Sequence, residues 1–398
     1  MTVERGVAGG TRSDGATAFG LVVVLWMAGL GASGQFAKIS VIFPMVQAAY
    51  PGSGASLGFV VSALSLLGVG LGLVAGLIAV QIGYRRMLLG GLMLGAAMSL
   101  LQSLMLPLPV MLVSRVVEGL SHLAIIVAAP TLIAEVTALR HRPAAMTLWS
   151  TFFAVSFAAV AVLGVPLARA YGPGAVFAAH GLYMLVIAAL LSGRLPRRSR
   201  TADRQPLRLA TVLARHVQVY RSPFVAAPAI GWLFYTLAFV SLLTVLPGFF
   251  AAEIQSLAAG TLPLASIAIS MTVGVALMRM VPPIHVVVLG FGLALAAVIA
   301  MAIWPGVLWP CVALMGALGL VQGASFAAVP QLNPSAEARA LGNGAMAQTG
   351  NLGNTLGTPV VLLAIEAFGY GGLIGFAAAC FGAGIAVHLL LMRARRRA

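Results

Sequence analysis

One apolar segment of the chain carries three side chains that could bind or move a proton. Arg115, Glu118 and His122 occupy positions i, i+3 and i+7 of the segment 109–136, so in a helix they share one face. A carboxylate one turn from an arginine stays ionised while paired, and it can accept a proton when that arginine moves away. Imidazole titrates near neutral pH. The spacing therefore predicts a proton relay or substrate clamp, with a structural ion pair as the alternative.

A second deep charge is expected at Lys38, the only lysine of the chain. Lys38 lies about ten residues inside the far end of the first apolar segment, which corresponds to a depth of about 15 Å. It is expected to face Glu118 or an anionic solute, and Gln35, one turn earlier, is assigned to the same substrate site. The alternative is that Lys38 snorkels to the membrane surface. Lys38 and Arg115 against Glu118 leave one surplus positive charge, which favours an anion.

The second half of the chain offers neutral hydrogen-bonding groups at depth instead of charges. Gln348, Asn351 and Asn354 recur every three residues and give one helix face a polar stripe. Such groups can select a solute, or they can hold transmembrane helices together. The substrate-site residues predicted from this half are Tyr235, Gln322, Gln348 and Asn351.

The elements that position these side chains must cross a membrane. Of 398 residues, 61% are hydrophobic and 8% are charged, whereas soluble domains carry about 25% charged residues. The apolar residues form segments of about 20 to 30 residues, long enough for a helix to cross a hydrocarbon core of about 30 Å. We predict an all-α membrane protein of twelve spans. The spans are placed near 17–47, 55–80, 86–106, 109–136, 144–169, 174–194, 224–250, 257–279, 283–304, 307–331, 341–366 and 370–392.

The distribution of basic residues predicts the orientation. The segments expected on one side hold Arg5, Arg12, Arg85, Arg86, Arg140, Arg142, eight arginines from Arg194 to Arg221, Arg279, Arg339, Arg393, Arg395, Arg396 and Arg397. The loops of the other side hold Arg169, Glu253 and Glu366. The positive-inside rule then places both termini in the cytoplasm, and a bacterial inner membrane is the expected location. The net charge of +15 is thus interpreted as a topology signal, and no nucleic acid partner is expected.

A basic stretch divides the chain into two halves of six spans each. The predicted units are an N-terminal bundle at 1–193, a cytoplasmic linker at 194–222 and a C-terminal bundle at 223–398. The halves share a pattern, because Gly119 and Pro130 are eleven residues apart, as are Gly323 and Pro334. Two parallel repeats place a solute site at their interface, near the bilayer midplane.

The end of the second span carries a recognisable loop motif. Gly76, Gly83, Arg85 and Arg86 belong to the stretch GLIAVQIGYRRMLL. This stretch is similar to the motif Gly-x-x-x-Asp-Arg-x-Gly-Arg-Arg between spans two and three of the Major Facilitator Superfamily. With two six-span halves, the resemblance covers essentially the whole chain. It implies that family's fold of two six-helix bundles and a gating role for these four residues. Val80 replaces the motif's aspartate, which implies a modified closure on the cytoplasmic side.

The resemblance extends to the fourth span and to the expected function. Arg115 and Glu118 are similar to that family's span-four signature, whose arginine is associated with proton coupling. We therefore predict a secondary active transporter, not an enzyme, that moves a small organic, anionic solute by alternating access with proton coupling. The alternative is a drug or metabolite exporter driven by proton antiport, and a third hypothesis is a membrane enzyme or scaffold without transport. The exporter's apolar cavity would be lined by Phe36, Phe152, Phe153, Phe157 and Met346.

Other chemistry finds no support in the sequence. No nucleotide-binding P-loop is present, and no cysteine and histidine cluster has zinc spacing. Cys311 and Cys380 both lie in apolar segments and predict no disulfide framework. We expect no cofactor and no metal site. The expected partners are a small-molecule substrate, protons and membrane lipid, and the chain is expected to be a monomer.

Overall fold

The computed structural model describes residues 17–138, 141–195, 220–334 and 336–397, and these residues form helices and short connections without a strand. Most of the linker predicted at 194–222 lies outside the described residues, as does the N-terminal tail. We refer to residues 17–195 as the N-terminal half and to residues 220–397 as the C-terminal half.

Six spans form each half. In the N-terminal half, span 1 is Phe19–Ser40, span 2 runs from Gly54–Leu57 to Leu66–Ile82, span 3 is Tyr84–Gln102, span 4 is Leu108–Val136, span 5 runs from Arg142–Ser150 to Val165–Tyr171, and span 6 is Pro173–Ser192. In the C-terminal half, span 7 is Ala226–Val245, span 8 runs from Ala252–Ile269 to Val275–Met280, span 9 is Pro283–Ile303, span 10 is Leu308–Leu332, and spans 11 and 12 lie within Ala336–Arg395.

The count of twelve spans follows from the lengths of these helices. Ten helices in the described parts of the chain are long and apolar enough to cross a membrane. One of them, Leu341–Arg395, is 55 residues long, and it is interrupted at Gly369, whose φ of 58° is not helical. Glycine adopts this left-handed region without steric cost, so the segment comprises two spans. Span 3 has 19 residues, with Arg85 and Arg86 in its first turn, and completes the predicted twelve.

The molecule has two ends, and at each of them hydrogen bonds connect the ends of neighbouring spans and loops. The basic end carries Arg85, Arg194, Arg221 and Arg393, and we call the other the distal end. At the basic end, Ala18 N donates to Val136 O (3.1 Å), Arg85 Nη2 to Ser192 O (2.8 Å) and Arg395 Nη1 to Pro223 O (3.1 Å). At the distal end, Tyr50 Oη donates to Leu106 O (2.6 Å) and Tyr370 Oη to Met301 O (3.0 Å).

At the distal end one apolar core runs through both halves. It contains Ile39 and Phe157 from the N-terminal half and Leu243, Leu262 and Val361 from the C-terminal half, all of them buried. Such continuous packing excludes water, as in any protein interior. The two halves are therefore joined at this end.

Span 2 and span 11 approach each other closely within that junction. A Cβ on Gly58 would lie 2.8 Å from the backbone N and Cα of Pro359. Further along, Gly68 faces the side chain of Asn351. Small residues allow transmembrane backbones to approach in this way. We call these contacts of Gly58 and Gly68 with Pro359 and Asn351 the distal seal.

Two further apolar cores each belong to one half. Leu25, Leu92 and Ile133 belong to a core formed by the N-terminal half alone. Val329 and Met346 belong to a small core formed by the C-terminal half alone. The core that runs through both halves also includes Val286 and Val287, near the start of span 9 at the basic end.

Glycines also set the distance between spans 7 and 11 inside the C-terminal half. A Cβ on Gly353 would lie 2.7 Å from Leu233 O and 2.8 Å from Leu237 N. We expect Gly353→Leu to lower the melting temperature in detergent, because overpacking typically costs about 1–3 kcal/mol. The control is Gly371→Leu, since a Cβ on Gly371 meets nothing within 4 Å. Equal melting temperatures for the two variants would contradict the role assigned to this contact.

Candidate ion-coupling and substrate site

Three charged side chains meet inside the N-terminal half. Lys38 Nζ lies 2.7 Å from Glu118 Oε1, and Arg115 Nη1 is paired with Glu118 Oε2. All three side chains are 0% exposed. Arg115 and Glu118, which are close in sequence, therefore form one cluster with the distant Lys38. In this cluster two cations share a single carboxylate. Lys38 points into the bundle and does not snorkel.

Span 3 supplies the polar groups that make this burial tolerable. Lys38 Nζ also donates to Ser99 Oγ (2.5 Å) and Gln102 Oε1 (2.8 Å), so each of its three protons has an acceptor. Gln102 Nε2 donates to Glu118 Oε2 at 2.9 Å. Nζ lies 5.3 Å from the ring centroid of Phe177 on span 6, a cation–π contact. Buried charges need such complete pairing, because their desolvation is expensive.

Arg115 links the cluster to the distal seal. Its Nε donates to Val60 O at 2.7 Å, and its Nη2 donates to Val61 O at 3.3 Å. Both carbonyls belong to span 2, between Gly58 and the 3₁₀ turn Ala63–Ser65. One guanidinium thus holds the carboxylate of span 4 and the backbone of span 2 together.

The two histidines near the cluster have different roles in its hydrogen bonding. His122 Nδ1 donates to Ala32 O of span 1 at 3.1 Å, and its ring meets Phe36 edge-on. No hydrogen bond joins His122 to Glu118 in the part of the chain that the structure describes. His180 of span 6 instead contacts the cluster, because its Nδ1 lies 2.8 Å from Ser99 Oγ.

The predicted substrate residues fall into two groups. Gln35 Nε2 donates to Ser121 Oγ (2.8 Å) within the N-terminal half, and Gln35 Oε1 is buried without a hydrogen-bond partner. Tyr235 Oη donates to Gln322 Oε1 (3.2 Å), joining spans 7 and 10. Gln35 and Tyr235 are buried in this structure, and their role in solute binding stays a prediction.

Gln348 and Asn351 lie where span 11 meets span 2. Gln348 Nε2 donates to Val69 O at 3.2 Å and Gln348 Oε1 accepts from Tyr220 Oη at 3.1 Å. Asn351 Nδ2 donates to Ala347 O (2.8 Å), and its side chain packs on Gly68. Both side chains hold helices of the two halves together in this state, which agrees with the alternative of polar groups as helix contacts.

Aromatic rings form a row across the boundary between the halves. Trp232 stacks on Tyr235 with centroids 4.4 Å apart, and Tyr235 stacks on Phe239 at 5.0 Å. Phe239 contacts Phe153 of span 5 at 6.1 Å, and Phe153 stacks on Phe157 at 5.0 Å. We call these five residues the aromatic row. Phe36 and Phe152, also predicted for an apolar cavity, contact Phe153.

The residues of the predicted gating motif lie at the basic end. Gly76 lies within Leu66–Ile82, and Gly83 has φ 87° between spans 2 and 3, a conformation that favours glycine. Arg85 Nη2 donates to Ser192 O, and Arg86 is exposed. The side chain of Val80 lies outside the described part of the structure.

Sequence reasoning missed two members of the cluster, Ser99 and Gln102, and named His180 as a candidate without giving it a partner. Ser99 and Gln102 are three residues apart in a span that is apolar from Met87 to Met98, so they share one helix face. That spacing was a usable signal. For His180 the only signal was a histidine at depth, which by itself does not identify a partner.

The comparisons with known proteins agree with this architecture. The Major Facilitator Superfamily matches residues 21–358. The structure is similar to that of the E. coli fucose:proton symporter FucP, with TM-score 0.66, 14% identity, and coverage of 94% of this chain and 99% of that one.

It is also similar to a bacterial homolog of the human lysosomal transporter Spinster in an inward-facing and occupied conformation. The TM-score is 0.72 at 15% identity, over 95% of this chain and 98% of that one. No curated protein sequence matches. The two structural likenesses establish the fold, and the family match covers most of the chain. This chain therefore belongs to the Major Facilitator Superfamily, and it is a secondary transporter with that family's all-α fold.

Proposed function

We propose that this transporter moves small organic anions together with protons, and that Glu118 is its proton-binding group. The observation that carries the proposal is the buried cluster of Lys38, Glu118 and Arg115. Glu118 is the one buried acidic side chain in the described ranges. A charge placed this deep in a membrane protein is a functional candidate by default, because it is expensive to maintain.

The charges of the cluster give a physical reason for coupling. While Glu118 is ionised, the cluster carries two positive charges and one negative charge. A proton on Glu118 would leave both cations without a counter-charge, which is costly in a buried site. A solute anion reaching Lys38 or Arg115 would relieve that cost. Proton binding and anion binding would then strengthen each other by reciprocal linkage.

The state of the molecule supports alternating access. In this proposal the membrane is a bacterial inner membrane, and the basic end with both termini lies in the cytoplasm, the orientation that the positive-inside rule favours. In this proposal the distal seal closes the outer side, as expected of an inward-facing state. The Spinster homolog was also captured inward-facing, which agrees with this orientation. In this proposal the units at 1–193 and 223–398 rock against each other around the linker at 194–222.

A second function is favoured by the aromatic row. Stacked rings at the boundary between the halves are suited to bind planar or lipophilic cations by apolar and cation–π contacts. An exporter of such compounds, driven by proton antiport, would use the row as its binding surface and Glu118 as its proton site. The charge of the best ligand distinguishes the two functions.

A thermal-shift experiment on purified protein tests the proposal. The panel contains acetate, lactate, benzoate and citrate, with ethidium and tetraphenylphosphonium as lipophilic cations. We expect acids to raise the melting temperature, since a ligand at 100 times its Kd adds about 2.7 kcal/mol of stability. Lys38→Met removes the surplus positive charge and is expected to abolish the stabilisation by acids.

The control variant is Arg169→Ala, which removes an exposed cation at the distal end and is expected to retain the response to acids. Stabilisation by the cations alone would favour the exporter. A response to acids that survives in Lys38→Met would contradict the anion site proposed at the cluster.

A further inference from the structure

Ser99 occupies a position between an acid and a base. Its Oγ lies 3.2 Å from Glu118 Oε1 and 2.8 Å from His180 Nδ1. A hydroxyl has one proton to donate and two lone pairs to accept with. It can therefore donate to Glu118 or to His180, but not to both at once. His180 Nε2 donates to Gly31 O at 2.9 Å, which leaves Nδ1 of a neutral ring as an acceptor towards Ser99.

His180 is the half-buried member of this network, whereas Lys38, Arg115 and Glu118 are fully buried. His180 lines a cavity of about 250 Å³ between spans 1, 5 and 6, and Lys38 contributes to the same wall. Ser156 and Tyr183 add hydroxyl groups to the wall of this cavity.

The cavity reaches the outside of the bundle. Leu163 lines it and is 71% exposed, so Leu163 marks its rim. Leu167 and Val176 also line it, and they lie within about one turn of the distal ends of spans 5 and 6. The wall on span 5 includes the π-helical turn Val160–Gly164. Turns of this kind are frequent at functional sites.

We propose that His180 is the residue through which Glu118 exchanges its proton, with the hydroxyl of Ser99 as the bridge. This inference rests on the proposed function, because it assumes that Glu118 binds the transported proton. It adds a proton-transfer residue on span 6 and a route that is separate from the path of the solute between the halves.

The transfer balances at each atom. Protonated Glu118 gives its proton from Oε1 to Ser99 Oγ, and Ser99 passes its own hydroxyl proton to His180 Nδ1. Ser99 ends with one proton, as it began, Glu118 becomes a carboxylate, and His180 becomes an imidazolium. The imidazolium then gives its Nε2 proton to a water molecule that enters the cavity, and proton exchange with water restores the first tautomer of the ring. The reverse sequence loads Glu118.

The groups around His180 are consistent with a transient rather than a resting imidazolium. Lys38 of span 1 and Arg115 of span 4 oppose a third positive charge, while Glu118 of span 4 favours it. Span 3 contributes only the neutral Ser99 and Gln102 to this network. Span 5 contributes the neutral Ser156 to the cavity, and span 6 itself contributes Tyr183. His180 is thus suited to pass a proton on.

Infrared spectroscopy after a pH jump tests the proposal without any solute. The protonated carboxyl group of Glu118 gives a carbonyl band, which is identified by its absence in Glu118→Gln. In the full-length protein in lipid, we expect His180→Gln to slow the appearance of this band by about 100-fold, the lower range of what a positioned proton donor contributes. Glutamine retains hydrogen-bonding capacity but cannot carry the proton. His285→Gln is the matched control, because His285 is exposed at the start of span 9.

A second pair of variants tests the bridge. Ser99→Ala removes the hydroxyl and is expected to slow the band as His180→Gln does, whereas Ser99→Thr retains the hydroxyl and is expected to keep the fast rate. A normal rate in His180→Gln or in Ser99→Ala would overturn the inference and leave the proposed function standing. If the wild-type band never appears, Glu118 is not the proton site and the proposed function itself fails.

Discussion

Replacing Glu118 by glutamine is expected to destabilise the folded protein by about 3–5 kcal/mol, the usual cost of removing one partner from a buried ion pair. The cost is large because Glu118 is the carboxylate shared by Lys38 and Arg115, all three fully buried. The same variant is expected to lose uptake driven by a pH gradient in proteoliposomes, measured with the acid that stabilises the protein most. Thermal melting and flux are the two readouts.

A double variant separates stability from coupling. Lys38→Met together with Glu118→Gln removes one positive and one negative charge, so we expect it to regain part of the stability lost in Glu118→Gln. It should not regain uptake driven by the gradient, because no proton acceptor is restored. Glu253→Gln is the control, since Glu253 is exposed at the distal end. If Glu118→Gln retains wild-type flux and melting, the cluster is neither a proton site nor a structural centre.

Gly58→Leu is expected to abolish transport by preventing the distal seal from closing. A Cβ at this position would lie 2.8 Å from the backbone of Pro359, and a backbone cannot move aside as a flexible side chain can. The variant should therefore be held open on the distal side. The measurement is labelling of Ser62→Cys, a buried position on the same span, by a membrane-impermeant thiol reagent applied from that side.

Gly70→Leu is the matched control, because Gly70 lies on the same span and a Cβ there would meet nothing within 4 Å. We expect Ser62→Cys to be labelled in the Gly58→Leu background and protected in the Gly70→Leu background. Solute binding from the distal side should persist in Gly58→Leu, since the site itself is unchanged. Protection in both backgrounds, with normal transport, would show that the seal does not depend on this contact.

The fold was predictable because the lengths of the apolar segments determine which parts of the chain can cross a membrane. Long apolar segments separated by arginines specify helices that cross a membrane, and the structure follows these segments closely. The details that escaped prediction are local. Span 1 ends at Ser40 and a separate helix, Phe43–Ala49, continues the segment. Spans 5 and 8 each contain a π-helical turn. Hydropathy does not register such changes of hydrogen bonding.

The charged part of the candidate site was predictable because charged residues are rare in this sequence. Lys38, Arg115 and Glu118 stand out in a sequence with 8% charged residues, and the structure brings them together. His122 lies on the same face of span 4 as Glu118, but the Glu118 carboxylate is bonded to Lys38, Gln102 and Arg115. The ring of His122 donates to Ala32 O of span 1 instead.

The partners from spans 3 and 6 could not be predicted in the same way. Ser99, Gln102 and His180 reach the cluster only because of how those helices are rotated. Rotation of a transmembrane helix is set by packing against its neighbours, and spans 3 and 6 are apolar on most faces. The sequence pattern therefore indicates that these side chains are deep, but not which way they point.

The bonds of Arg115 to Val60 O and Val61 O have a consequence for engineering. These bonds connect the charge cluster to span 2 through backbone carbonyls, which every residue type at positions 60 and 61 would provide. The side chains of Val60 and Val61 can therefore be exchanged for others that fit their buried positions, while the two bonds of Arg115 are kept. The fixed requirement is the arginine and its reach.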